Sequence, residues 1–344
     1  MKIGIITIYE PITNMGSFLQ AYALKLVIES MGHEPYFVEN VPALKTALKC
    51  VLKINPKREF FLRIKKTISF FCDIKKLRTV SRIGMKKAGF DCMLYGSDEI
   101  WNMENPYFKD PFFFGGEVGK VKRIAYAVSA GAMKKETLYQ NLECAKYLSE
   151  LEIILVRDIH TRQILLDYLG KECKIVCDPT LLVPVSELSE SITCPKEKYL
   201  LVYTYGVDKH MEKVVVDYAR KYNLKIVSPC FWHLWADKVI ECSALQFSTL
   251  IQGAECVFTT TFHGAIFTLL NHKRCCIYPA REKVKDVVVQ LGEDVHLIDK
   301  TCTENNFEKV MSIPFDQDRF ENNLLNIRKE SRKQLEVAIK CLEK

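Results

Sequence analysis

No stretch of this 344-residue chain stays apolar for the ~18–20 residues that a membrane-spanning helix needs. Its start, MKIGIITIY, is strand-like at once and shows no charged n-region, apolar core or cleavage site, so no secretory signal is expected and a cytoplasmic location is. Fourteen cysteines are present, yet none forms a C-x-x-C pair. The nearest approach, Cys173 and Cys177, has no His beside it. Cys92, Cys256, Cys275 and Cys276 fall in apolar, strand-like runs, so buried free thiols are expected rather than a metal centre or disulfides. The G-x-G-x-x-G spacing of a dinucleotide fingerprint is missing. A short-period repeat and any nucleic-acid-binding module are missing too.

What is present begins with charge. The chain carries a net +7, but fourteen Lys/Arg against only Glu59 and Asp73 lie between Lys45 and Lys87. That segment is therefore +12 and everything else is −5. Leu48, Val51, Leu52, Phe60, Phe61, Ile64, Ile68 and Phe71 keep helical spacing within it, which predicts basic amphipathic helices over 43–88. Such a segment serves as a solvated helical excursion, as a contact with an anionic membrane surface, or as a nucleic-acid binder. Phe and Ile interleaved with Lys suit a bilayer interface, and no nucleic-acid partner is expected.

The length suits two domains, each able to bury a core. In the first part, strands are predicted at 2–9, 35–39, 92–95, 123–128, 153–156 and 174–177. Helices are predicted at 16–31, 134–150 and 160–169. Repeated βαβ units imply a parallel sheet covered on both faces. Pro184, Pro195 and several Ser/Glu residues mark 184–198 as a linker. A second alternation follows, with strands at 199–204, 225–228, 256–259, 274–278 and 296–298. Its helices are predicted at 209–222, 247–253, 264–271 and 284–291, and a long amphipathic helix closes the chain at 317–342. The reading is α/β: an N-terminal domain over 1–183, a C-terminal domain over 199–316, a final helix over 317–344, and a ligand cleft between the domains.

Chemistry concentrates at CVFTTTFHGAIFTLL, residues 256–270. An apolar strand stops at three threonines, then His263 and Gly264 open an apolar helix. An imidazole is thereby placed at the carboxyl end of a strand, where α/β sheets collect ligands. It sits beside helix-start N–H groups that suit an anion. A group titrating near neutrality next to an anion cradle points to proton transfer on a phosphorylated or carboxylated substrate.

Four further constellations sit past strands. Asn14-Met15-Gly16-Ser17 opens the first helix, with Gly16 permitting close ligand approach. In Gly96-Ser97-Asp98-Glu99-Ile100-Trp101, the carboxylates suit sugar hydroxyls, and Trp101 either stacks on a ring or packs. Arg157-Asp158 offers a guanidinium for carboxylate or phosphate, or a local ion pair. Phe231-Trp232-His233-Leu234-Trp235 is either a sugar platform or a hydrophobic plug, the plug being favoured.

Taken together, six blocks in register resemble the polysaccharide pyruvyl transferase family. They are Asn14-Met-Gly-Ser-Phe-Leu-Gln-Ala-Tyr-Ala-Leu24, Gly96-Ser-Asp-Glu-Ile-Trp-Asn102, Arg123-Ile-Ala-Tyr-Ala127, Val156-Arg-Asp158, Asp178-Pro-Thr-Leu-Leu182 and Thr260-Thr-Phe-His-Gly264. The resemblance implies two Rossmann-like domains in a GT-B-like arrangement. It also implies transfer of pyruvate from phosphoenolpyruvate onto two hydroxyls of a sugar, in a polysaccharide or lipid-linked glycan precursor. The products are a cyclic ketal and phosphate, and no metal or redox cofactor is required. His263 is then the acid/base. Asn14, Gly16, Ser17, Gln20, Ser97, Asp98 and Trp101 fall on the acceptor side. Arg157, Thr260, Thr261 and Gly264 fall on the donor side.

Some members of that family carry Arg two residues before the His, where this chain has Thr261. The missing cation is expected from Arg157, Lys273 or Arg281. Two rivals stand beside this reading. One is a nucleotide-sugar glycosyltransferase on the same scaffold, although no clear acidic or basic pair for a diphosphate is seen. The other is a non-catalytic scaffold held at the inner membrane face by 45–87.

Overall fold

The structure is a computed structural model that describes residues 1–10, 14–40 and 57–343, without the side chains of 57–63. The predicted basic excursion over 43–88 therefore lies outside the described residues up to position 56. Two sheets organise the rest. The first runs in the order β3-β2-β1-β4-β5-β6-β7, from β1 (Lys2–Ile6), β2 (Glu34–Glu39), β3 (Thr79–Ser81), β4 (Cys92–Tyr95), β5 (Lys122–Val128), β6 (Ile153–Val156) and β7 (Lys174–Ile175). The second runs β10-β9-β8-β11-β12, from β8 (Tyr199–Tyr203), β9 (Lys225–Pro229), β10 (Lys238–Ile240), β11 (Cys256–Thr259) and β12 (Cys275–Ile277). All these neighbours pair in parallel. β4, β8 and β11 are buried at every residue, which is why their sequences read as unbroken apolar runs.

Among the described residues, twelve helices cover the faces: α1 (Met15–Ser30), α2 (Lys57–Ile74), α3 (Arg82–Met85), α4 (Lys135–Tyr139), α5 (Leu142–Ser149), α6 (Ile159–Leu169), α7 (Lys209–Lys221), α8 (Ala244–Gly253), α9 (Phe262–Leu270), α10 (Glu282–Gln290), α11 (Glu304–Met311) and α12 (Gln317–Leu342). The helix predicted over 134–150 is split, because Asn141 turns its amide onto the Thr137 carbonyl (2.6 Å) and competes with the backbone ladder. The strand predicted at 296–298 is a correction. Asp294–His296 forms a 3₁₀ turn after Gly292, whose φ is +77°, and only Leu297 bridges to Ile277. The short β3 and β10 have too few residues for a periodic signal, whereas α11, with buried Phe307, Val310 and Met311 at helical spacing, is a helix the sequence reading passes over.

Two helices tie the halves together. The basic helix α2 belongs to the first sheet's chain, yet Asp73 near its end accepts the Ala244 N–H (3.0 Å) and caps α8 of the second. α12 returns from the second half to the first. Arg328 donates to the Leu181 and Val183 carbonyls, and the Ser331 hydroxyl accepts the Cys177 N–H at 3.0 Å. No helix among the described residues is long and apolar enough to cross a membrane.

Each sheet reverses its strand order once, between β1 and β4 and between β8 and β11. At such a switch point two adjacent loops part and leave a crevice at the strand carboxyl ends. Here the two crevices face each other.

Candidate active site

The cleft between the switch points encloses about 270 Å³. The first sheet supplies Ile8, Asn14, Ser17, Asp98 and Glu99, and the second supplies Tyr205, Thr260, Thr261, His263, Arg281 and Lys283. Of the residues picked out by sequence, Asn14, Ser17, Asp98, Thr260, Thr261, His263 and Arg281 thus meet at one wall or the other.

His263 is placed by the three threonines. β11 stops at Thr259, whose hydroxyl donates to the Tyr203 carbonyl (2.8 Å), and the Thr260 hydroxyl meets that of Thr204 (2.8 Å). Thr261 is the N-cap of α9, its Oγ1 accepting the Gly264 N–H at 3.1 Å. The helix therefore begins at Phe262, and His263 sits in its first turn with a side chain only 7% exposed. Its ring lies on the bare Cα of Gly16 across the domain boundary, where a Cβ would overlap Nδ1 and Cγ. Nε2 lies 3.7 Å from Asp178 Oδ2 and has no hydrogen-bond partner among the described residues. That distance is a charge contact rather than a hydrogen bond.

Asp178 is fully buried. Burial opposes its charge, but His263, Arg157 and the Thr180 hydroxyl (2.7 Å) together hold its carboxyl well below the usual range. Arg157 donates to Asp178 (2.9 Å), lies 3.6 Å from Asp98, and stacks its guanidinium 4.6 Å from the centre of the Phe262 ring. Burial pulls Arg157 down, and the carboxylates of Asp98, Asp178 and Glu99 more than reverse that. Asp158 is not its ion-pair partner; it caps α6 through the Thr161 N–H (2.7 Å). Arg157 thus stands behind Phe262, not on the cleft wall. It positions the Asp178–His263 pair, and its Nε and Nη2, which make no hydrogen bond among the described residues, are buried rather than presented to the cleft.

The cations on the cleft wall are the exposed Arg281 and the half-buried Lys283. Arg281 and Lys283, at the start of α10, both reach Glu99 across the cleft at 3.1 and 2.5 Å. Burial works against the Glu99 carboxylate, yet Lys283 above all, with Arg157 and Arg281, brings it down to about 2. Lys283 and Asp178 escaped the sequence reading as site residues. Lys283 follows the strand end that pointed to Arg281, and Asp178 stood in a matched block. Lys273, by contrast, precedes β12 and so sits at the amino ends of the parallel strands, away from the cleft at their carboxyl ends.

Further expectations are corrected. Trp101 is 2% exposed; its indole N–H donates to the Phe113 carbonyl (2.9 Å) and its ring stacks on Phe114, so it packs the core. Gly264 does not line the cleft. Its missing Cβ makes room for the Thr259 and Thr261 hydroxyls and the Tyr203 ring, and its N–H is already taken. Gln20 and Ser97 are fully buried and hydrogen-bond each other, with Gln20 also donating to Thr7 and to the Ile8 and Ser17 carbonyls. They tie the Ser17 and Asp98 loops together from behind. Asp98 holds a left-handed backbone (φ +76°) and accepts from the Ser17 hydroxyl (3.2 Å). The aromatic loop does not line the cleft and is a plug only in part, through Phe231 and Trp235, which pack against the core. Phe231 packs on Tyr203 and Tyr205, while Trp232 is 42% and Leu234 93% exposed.

The family model described as polysaccharide pyruvyl transferase matches residues 14–279, more than three quarters of the chain. Among solved structures, the UDP-GlcNAc 2-epimerase of Methanocaldococcus jannaschii superposes with a TM-score of 0.59 at 12% identity, over 98% of this chain and 100% of that one. The UDP-GlcNAc 2-epimerase of Neisseria meningitidis, solved with UDP-GlcNAc, gives 0.56 at 12% identity, over 99% and 100%. The spinosyn forosaminyltransferase SpnP gives 0.54 at 11% identity, over 100% of both chains. At such identities the likeness is one of fold: two Rossmann-like domains in a GT-B-like arrangement. No curated protein matches the sequence.

Proposed function

Because this chain belongs to the polysaccharide pyruvyl transferase family, we propose that it moves pyruvate from phosphoenolpyruvate onto two hydroxyls of one sugar of a glycan or lipid-linked glycan precursor. The observation that carries this reading is His263. A buried imidazole, backed by a carboxylate, faces a cleft whose same wall carries Arg281 and Lys283.

The chemistry follows from those positions. Phosphoenolpyruvate brings a carboxylate and a phosphate, and the Arg281–Lys283 pair together with the start of α9 supplies positive potential for them. His263 gives its proton to the methylene carbon, and positive charge builds at C2. Asp178 stabilises the imidazolium before the transfer and fixes the ring. A sugar hydroxyl held by Asp98, Ser17 and Asn14 attacks C2, and its proton passes to the now neutral His263. Phosphate leaves, a second hydroxyl closes the ketal, and that hydroxyl's proton departs with phosphate. Phe262, Tyr203 and Ile8 keep the reacting carbon in apolar surroundings. Such placed acid–base transfer contributes ~10²–10⁴-fold.

Incubation with phosphoenolpyruvate and a panel of glycans tests the reading. Phosphate should appear in equal amount to a glycan that has gained pyruvate's mass less water. Sugar-nucleotide turnover with no use of phosphoenolpyruvate would overturn it.

For the acceptor we infer a lipid-linked glycan met at an anionic bilayer. Ile68 (59% exposed) and the exposed Lys65 lie on the outer side of α2, and the exposed Lys75 follows its last residue. Lys66 of the same helix sits 5.4 Å from the Phe231 ring, at the base of the loop that exposes Trp232 and Leu234. Lysines beside exposed apolar side chains suit that interface. Salt-sensitive sedimentation with phosphatidylglycerol vesicles, absent with neutral ones, checks it.

A further inference from the structure

Thirteen of the fourteen cysteines lie among the described residues, and one pair stands out. Cys230 and Cys242 hold their sulfurs 3.7 Å apart beside the β9–β10 edge. Cys230 is partly exposed, and its backbone is left-handed at φ +60°, a conformation rare outside glycine and costly to maintain. Cys242 is buried, and its sulfur touches Met15 Sδ at 3.8 Å. Met15 is the first residue of α1, next to the Gly16 that carries the His263 ring.

We propose that Cys230 and Cys242 form a redox-active dithiol that closes to a disulfide by exchange with a low-molecular-weight disulfide, and that closure is felt at the start of α1 through Met15. The Cys230 thiolate attacks one sulfur of the small disulfide, giving a mixed disulfide and releasing one thiol. Cys242 then loses its proton and attacks Cys230 Sγ, expelling the second thiol. Two electrons pass from the protein sulfurs to the small disulfide, and no metal takes part.

The surroundings assign the two roles. A hydrogen bond with Cys242 holds the Cys230 thiol below the ordinary range against the effect of burial, and the Lys66 ammonium adds to it. Cys242 moves the other way, raised by the same partner and by burial. The partly exposed, acidic thiol is the attacking group, and the buried one resolves. Glu241, 3.6 Å from Cys230 Sγ, is pushed up to about 9 by burial and by its neighbour, so it stays protonated near neutrality and leaves the thiolate unopposed. Cys92, Cys144, Cys173, Cys177, Cys256, Cys275 and Cys276 are all raised by burial and stay inert.

The test uses the full chain, reduced and then exposed to oxidised glutathione, with peptide mapping by mass spectrometry. A Cys230–Cys242 crosslink should form, reversibly with dithiothreitol. Cys242→Ser should stop at a glutathione adduct on Cys230, and Cys230→Ser should leave Cys242 unmodified. Glutathione on the exposed Cys72 and Cys341 with Cys230 untouched would overturn the site. Hydrogen exchange over residues 15–20 reads the coupling. A change on oxidation that is lost in Cys242→Ser supports it, and identical exchange in both redox states overturns it. Neither readout uses phosphoenolpyruvate, so both stand apart from the proposed reaction.

Discussion

The imidazole of His263 rests on Gly16, a residue 247 positions earlier in the chain, and no other residue type fits beneath it. One domain supplies the proposed acid and the other supplies the surface on which it lies. The active geometry therefore exists only when the domains are closed on each other.

A methyl group at Gly16 should displace the ring without touching substrate. Gly16→Ala is expected to lower phosphoenolpyruvate turnover on the order of 10²-fold, the scale of an ångström's misplacement. His263→Ala should lose ~10²–10⁴-fold. The double variant should be no slower than His263→Ala, since the methyl acts through the imidazole. Steady-state kcat values of the three variants decide it, and additive losses would contradict the relationship.

Asp178→Asn removes the carboxylate shared by Arg157 and His263. Removing one partner of a buried ion pair costs about 3–5 kcal/mol; with Asp98 still 3.6 Å from Arg157 that is the upper end, and the loss should appear in the urea midpoint. Because the Asp178 carboxyl is held low in the folded state, its stabilisation is present above the ordinary carboxylate range and is lost only in strong acid. The variant should therefore lose the steepest part of the wild type's acid limb.

Glu99 supplies a second, separable acid term. Its folded value of about 2 lies below its ordinary 4.5, so stability should be complete above pH 4.5 and drain away as pH falls towards 2. The full term is ~3 kcal/mol. Glu99→Gln should flatten that window in acid-denaturation curves. It should also free Arg281 and Lys283, so that calorimetry gives phosphoenolpyruvate binding roughly tenfold tighter, or ~1.4 kcal/mol. Lys283→Ala should weaken the same binding.

Trp101 separates packing from recognition. Trp101→Ala should cost ~3–5 kcal/mol of stability, while Trp101→Phe, which keeps the ring against Phe114, should hold the acceptor KM unchanged. A rise in acceptor KM with unchanged thermal stability would return Trp101 to the cleft.

Much of the fold was legible because buried parallel strands announce themselves. Cys92–Tyr95 is an apolar, fully buried run, Cys256–Thr259 is apolar up to its closing threonine, and α12 keeps its period from Gln317 to Leu342. The site was legible where a side chain stands directly past a strand end, as do Asp98, His263 and Arg281. It was misread where polarity alone served as the guide. Arg157, Gln20 and Ser97 look like ligand-binding groups, but Gln20 and Ser97 bond each other and neighbouring loops, and Arg157 is buried against Asp178 behind Phe262.

By itself the sequence determined which residues lie past strand ends and that an imidazole follows three threonines, because those features depend on neighbours a few positions away. Only the tertiary structure decided which strand ends face each other, that Asp178 and Gly16 flank His263, and that Glu99 answers Lys283. Each of those contacts joins residues more than eighty positions apart, and long-range pairing is set by sheet order and domain closure, which no local pattern encodes.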